Sequence, residues 1–192
     1  AGGILIAYAL RLLEQADVRA LAFHSPQHLR LWVEIMRQAN ALRKTDNPAN
    51  SHAWQAVLSD ERIQQDWQAI AQRLQAPSAP QDDSQATSDI PYGKSRSTTH
   101  ISVVDGAGLA VAISTTPGAT GGYVVGETGM LMNNILGETD LNPAGFHQMP
   151  IGARLPSMMS PTIINARDGG RVALGSAGSS RIRSAIAQTI SR

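Results

Sequence analysis

Cysteine is absent from the 192 residues. That excludes disulfides, thiolate metal sites and a cysteine nucleophile, and it leaves the redox compartment open. Charge is sparse and balanced, with sixteen Lys/Arg against fifteen Asp/Glu and a formal net charge of +1. Without a basic surplus there is no electrostatic basis for a nucleic-acid or membrane-surface partner. No apolar run approaches the roughly 20 residues that a membrane-spanning helix needs. The opening residues, Ala1-Gly2-Gly3-Ile4-Leu5-Ile6, lack an initiator Met and the basic start of a signal peptide. The last ones, Thr189-Ile190-Ser191-Arg192, stop inside an amphipathic pattern, so a piece of a longer polypeptide is expected. At 42% hydrophobic residues, the length suits one compact domain better than two.

What is present is divided unevenly. All three tryptophans precede residue 98, and fourteen of the seventeen glycines follow residue 97. The first part reads as helices. Ile4, Ala7, Tyr8 and Leu12 recur at helical spacing. Ser25-Pro26 is an N-cap and first-turn pair for a helix with Leu29, Val33 and Met36 as its apolar face. Ser59 caps a third helix, striped by Ile63, Trp67, Ile70 and Leu74. The tryptophans read as core or groove fillers. Residues 76–97 are rich in Pro, Ser, Asp and Gln and poor in large apolar side chains, as in a mobile linker.

Strands are predicted next. Thr98 to Asp105 turns through Asp105-Gly106-Ala107-Gly108 into Leu109 to Ser114, a hairpin. After a glycine-rich stretch from Gly118 to Gly129, short strands are expected at Met130–Met132, Thr162–Asn165 and Arg171–Leu174. The loop Gly175-Ser176-Ala177-Gly178-Ser179-Ser180 then opens a helix near Arg181.

Few residues offer chemistry. His24 and His28 have the i, i+4 spacing of metal ligands, but Pro26 lies between them and no third ligand follows, so no metal site is expected. His52, His100 and His147 stand apart. The Gly175–Ser180 loop could hold a phosphate or an oxyanion on free backbone N–H groups, or could simply be a tight strand-to-helix turn. Ser97-Thr98-Thr99-His100 carries more. A linker running into a strand that begins with threonine is the layout an N-terminal-nucleophile precursor requires. There a hydroxyl attacks its own preceding peptide bond, and the freed α-amine later serves as base. Threonine at a strand start is by itself ordinary.

TTHISVVDGAGLAVAISTT resembles the start of the small subunit of γ-glutamyltransferases, and GETGMLMNN, RLPSMMSPT and LGSAGSSRI follow in that family's order. Residues 1–75 resemble the helical end of its large subunit. The resemblance implies an α+β fold, part of a four-layer αββα sandwich with antiparallel sheets. It divides the chain into residues 1–75, a linker at 76–97 ending at the self-cleavage site Ser97–Thr98, and the start of the small subunit at 98–192. It implies that Thr98 is the nucleophile, that Thr116 assists it, and that Gly178 and Ser179 form the oxyanion hole with backbone N–H groups. It implies Ser157, Glu138 and Asn134 as substrate-binding residues.

The implied activity is amide hydrolysis or acyl transfer through an acyl-threonine, without metal or organic cofactor. The substrate would be a glutathione-like or other acyl amide, the acceptor an amino acid, a peptide or water, and the partners the two subunits made by self-cleavage. Family members are often periplasmic or secreted; a cytoplasmic site stays open. Three positions depart from the family pattern: Met158 replaces a second serine, Gly118 an asparagine and Ile135 a polar residue. An inactive binding scaffold and an anion-binding module built on the glycine loop are the alternative readings.

Overall fold

The computed structural model describes residues 2–45, 53–76, 98–118, 120–138, 142, 145–153, 155, 157–178 and 181–192. They form two compact units, one of residues 3–76 and one of residues 98–190. The linker expected at 76–97 lies, apart from Ala76, outside the described residues.

The first unit is helical: α1 (Gly2–Leu13), α2 (Pro26–Thr45), α3 (Ala53–Val57) and α4 (Asp60–Gln75). The predicted caps are in place. Ser25 Oγ accepts the His28 N–H at 3.2 Å, and Ser59 Oγ accepts the Arg62 N–H at 3.3 Å. Asp60 and Glu61 add negative charge to the first turn of α4, where the helix dipole favours it. Leu5, Tyr8, Ala9 and Leu12 of α1, Ile35, Ala39 and Leu42 of α2, and Ile63 and Ile70 of α4 are buried. Each large apolar side chain among them contributes about 1.5–3 kcal/mol by leaving water.

The face expected on α2 is corrected. Leu29 and Val33 are exposed, while Leu31, Trp32, Ile35, Ala39 and Leu42 are buried. The helix carries two apolar stripes, and the longer one, which includes a tryptophan, takes the interior. Trp32 is buried, Trp67 is half-buried and Trp54 is exposed. A polar cluster is buried with this core. Asp66 is buried and accepts from Tyr8 Oη (2.6 Å), Arg62 Nε (2.6 Å) and Gln38 Nε2 (3.0 Å). Burial, then the hydrogen bond to Asp66, push the Tyr8 phenol well above its ordinary range.

The second unit holds two antiparallel two-stranded sheets. One pairs β1 (Thr99–Val104) with β2 (Ala110–Thr115), the other β3 (Thr162–Asn165) with β4 (Arg171–Leu174). The expected hairpin is closed by Asp105, whose carboxylate accepts the N–H groups of Ala107 (2.9 Å) and Leu109 (2.8 Å). Gly108 supplies the positive φ of +83° that the reversal needs. No strand forms at Met130–Met132; a single bridge joins Val124 and Leu131. The surrounding glycines favour turns over a ladder.

β4 packs against both β1 and β2, and the Arg171 guanidinium donates to the Gly108 carbonyl. The loop leaving β4 is thereby carried back to the start of β1. Helix α5 (Ile182–Ile190) follows and buries Ile182, Ile186 and Ala187. No helix among the described residues is long and apolar enough to cross a membrane.

Candidate active site

The hairpin register builds the site. His100 faces Ser114, and Ser102 faces Ala112. Because side chains alternate along a strand, Thr98, His100, Ser102, Ser114 and Thr116 project from one face. Ile101, Val103, Val111 and Ile113 take the other, where all four are exposed.

At the open end of the hairpin three oxygens converge. Thr98 Oγ lies 3.1 Å from Thr116 Oγ and 3.0 Å from the Gly178 carbonyl oxygen, across eighty residues of chain. A carbonyl only accepts, so the Thr98 hydroxyl donates to Gly178. Thr116 then supplies the proton between the two hydroxyls, and its oxygen accepts the Gly118 N–H at 3.0 Å. The result is a polarised row that leaves a lone pair of Thr98 Oγ oriented by Thr116.

Gly118 is buried with φ +65°, a left-handed conformation that glycine adopts freely and asparagine tolerates. A side chain here would run into the Glu138 carboxylate and would stand 3.4 Å from Ile135 Cγ1. The Glu138 carboxylate thus occupies the space beside Gly118, two residues from Thr116. Its loop is braced by Asn142, buried, whose Nδ2 donates to the carbonyls of Leu136 (2.9 Å) and Gly145 (2.6 Å). Asn142 gave no sign in the sequence, since its role arises only once the loop is folded around it.

A sequence profile for gamma-glutamyltranspeptidase matches residues 1–192. The chain belongs to the γ-glutamyltranspeptidase family. Glutathione hydrolase proenzyme of Escherichia coli (strain K12) is 32% identical over 217 aligned residues, covering 98% of this chain and 34% of that protein. Acylase ACY 1 proenzyme of Pseudomonas sp. (strain V22) is 30% identical, covering 98% and 33% respectively. Glutathione hydrolase 5 proenzyme of Mus musculus is 30% identical, covering 99% and 35%. The chain therefore spans about a third of the length of the relatives it matches. No solved structure matches it.

The remaining candidate positions of this γ-glutamyltranspeptidase-family chain are placed as follows. The Asn134 N–H donates to the Pro117 carbonyl at 3.3 Å, which ties the Asn134 loop to the residue after Thr116. Ser157 makes a local turn, its Oγ accepting the Met159 N–H at 3.0 Å, and among the described residues no hydrogen bond joins it to Thr98. Ser97 and Ser179 lie outside the described residues. The rings of His24 and His28 are 6.3 Å apart with Phe23 stacked on His24 at 3.9 Å. Among the described residues no group of three or more His, Cys, Asp or Glu could hold a metal ion. His100, which stands alone in the sequence, does not stand alone in the fold. Its Nδ1 is 2.8 Å from Ser114 Oγ and its Nε2 is 2.8 Å from Ser102 Oγ. The readable signal was its place two residues after Thr98, on the same strand face.

Proposed function

We propose that the full-length protein cleaves itself between Ser97 and Thr98 and then acts as an N-terminal threonine hydrolase or acyltransferase on γ-glutamyl or related acyl amides. The observation that carries this reading is the convergence of Thr98 Oγ, Thr116 Oγ and the Gly178 carbonyl. It gives one hydroxyl a fixed direction at a strand start.

In self-cleavage Thr98 Oγ attacks the Ser97 carbonyl carbon. The Ser97–Thr98 C–N bond breaks, the hydroxyl proton ends on the departing nitrogen, and the ester left on Thr98 is hydrolysed. In turnover the free α-amine of Thr98 takes the hydroxyl proton as Oγ attacks the substrate amide. The backbone N–H groups of Gly178 and Ser179 hold the oxyanion, and the acyl-threonine passes to water or to an amine. Glu138, Asn134 and Ser157 bind the acyl group in this scheme. The proenzyme names of the relatives support the self-cleavage step, and the presence of both glutathione hydrolases and acylases among them supports the substrate class.

The full protein would be a four-layer αββα sandwich, with residues 1–75 ending its large subunit, 76–97 as the linker and 98–192 beginning its small subunit. The decisive experiment is intact-mass analysis of the full-length precursor. Thr98→Ala should give one uncut, inactive polypeptide, and Thr98→Ser should process more slowly. Two subunits from Thr98→Ala would show that the cleavage is external.

A further inference from the structure

We propose that His100 is a positioning residue that sets the distance between Thr98 and the loop carrying Gly178. This rests on the reading of Thr98 as nucleophile. Three observations converge on it. The imidazole is held at both nitrogens, by Ser114 across the hairpin and by Ser102 along the same strand, each at 2.8 Å. Serine hydroxyls both donate and accept, so the two bonds fix the plane and tilt of the ring whichever nitrogen carries the proton.

That fixed ring is what Gly175 rests on. A Cβ built on Gly175 would overlap the ring and stand 2.6 Å from Nε2. Gly175 has no positive φ that would demand glycine. Glycine is required there because the backbone approaches the ring too closely for any side chain. Three residues further along, the Gly178 carbonyl accepts the Thr98 hydroxyl at 3.0 Å. Thr98 and His100 are two residues apart on one strand face, as Gly175 and Gly178 are three apart in one loop. Hairpin and loop therefore meet through a hydrogen bond at Thr98 and a van der Waals stop at His100. The stop sets the hydrogen bond, because a loop free to settle toward the strand would change the angle at which Gly178 meets Thr98 Oγ. His100 touches no reacting atom in this scheme; it acts through the loop.

The test uses the full-length protein and four variants: His100→Ala, His100→Gln, Gly175→Ala and the double His100→Ala/Gly175→Ala. Self-cleavage is followed by intact mass, and kcat and KM are measured on the processed fraction with a γ-glutamyl anilide. A misplacement near 1 Å at a reacting group costs roughly a hundredfold in rate. His100→Ala and Gly175→Ala should each slow cleavage and lower kcat by roughly ten- to a hundredfold, with KM changed less than about threefold. Glutamine reaches about as far as the imidazole and bonds both serines, so His100→Gln should recover most of the loss. In the double variant the new methyl group enters the space the ring vacated, so its loss should be smaller than the two single losses multiplied.

A His100→Ala or Gly175→Ala enzyme with unchanged kcat overturns the proposal, as does a change confined to KM or a double variant whose losses multiply. Should His100→Ala fail to fold, Gly175→Ala decides, since it displaces the ring while keeping every side chain of the network. Thr98→Ala separates the two readings. If that precursor still cuts, the threonine reading fails and the positioning role falls with it. If cutting needs Thr98 but ignores His100 and Gly175, only the positioning role fails.

Discussion

Replacing Thr116 by valine keeps the branched shape and removes one oxygen, and that oxygen meets both Gly118 and Thr98. It accepts the Gly118 N–H at 3.0 Å and stands 3.1 Å from Thr98 Oγ. Gly118 is buried, so its N–H loses a partner where water reaches poorly, a cost of about 1–3 kcal/mol in stability. That cost is common to the resting chain and the transition state and does not by itself slow cleavage. The kinetic part comes from Thr98. In the proposed cleavage its oxygen gives up its proton and is transiently anionic before the bond to the Ser97 carbonyl carbon is complete, and a hydrogen bond from Thr116 strengthens from neutral to charge-assisted. A neutral bond is worth about 0.5–1.5 kcal/mol and a charge-assisted one about 1.5–3, so the gain is about 1–1.5 kcal/mol, a rate loss of roughly five- to thirteenfold.

The assay is the time course of the two subunit masses after the full-length precursor is refolded or expressed in a pulse. Thr116→Val should show that slowing, and Thr116→Ser, which retains the hydroxyl, should stay within about threefold of the parent. A valine variant that cuts at the parental rate with its fold intact would refute the relay. A serine variant as slow as valine would show that the methyl group, by packing, does the work instead.

Other outcomes follow from named contacts. Gly118→Ala should cost about 1–2 kcal/mol from the left-handed backbone alone. It should also raise KM for γ-glutamyl anilides as the Glu138 carboxylate is displaced; an unchanged KM would remove Glu138 from the acyl site. Tyr8→Phe should destabilise the helical unit by about 1.5–3 kcal/mol, because the bond it loses ends on a carboxylate. The folded phenol keeps its proton above the ordinary value of 10.0, so this contribution is complete below that pH and fades above it. The gap in unfolding free energy between parent and variant, from urea titrations, should narrow by at most about 1.4 kcal/mol per pH unit there, and a constant gap would refute the coupling. Finally, in the proposed scheme Met158, Gly118 and Ile135 replace groups that would bond the charged ends of a glutamyl moiety. Each missing charge-assisted bond is worth about 1.5–3 kcal/mol, so kcat/KM for a glutaryl anilide should equal or exceed that for the γ-glutamyl compound. A preference above about a hundredfold for γ-glutamyl would show a working amine site.

Local chemistry was legible in the sequence, and tertiary choice was not. Ser25 and Ser59 announce their helices because capping depends only on the next three residues. Asp105-Gly106-Ala107-Gly108 announces its turn for the same reason. The α2 face was misread because Leu29, Val33 and Met36 keep helical spacing as well as Leu31, Ile35 and Leu42 do, and periodicity cannot say which stripe meets another helix. Met130–Met132 has strand composition but lacks a partner ladder beyond one bridge. At the site, the pairing of Thr98 with Thr116 follows from the length of the hairpin. The approach of Gly178, the fit of Glu138 beside Gly118 and the stop of Gly175 on His100 depend on how β4 packs against β1 and β2.

Two threonines stand side by side at the start of β1, and two more, Thr115 and Thr116, at the end of β2. Which of the first pair meets Gly178 is a matter of parity, counted from the far turn. The ladder pairs Thr99 with Thr115, leaving Thr98 opposite Thr116 on the inner face. A slip of one residue would exchange the faces of the strand that moved. The hydroxyl at 98 would lose its partner, while a strand rich in isoleucine and valine would present them where serines and histidine now stand. Selection of the proposed nucleophile is thus made at Asp105 and Gly108, some seven residues and about 23 Å along the strand from the atom selected. Lengthening that turn by one residue changes no group within bonding distance of Thr98. It should nonetheless abolish the chemistry, and a second added residue, restoring the parity, should return part of it.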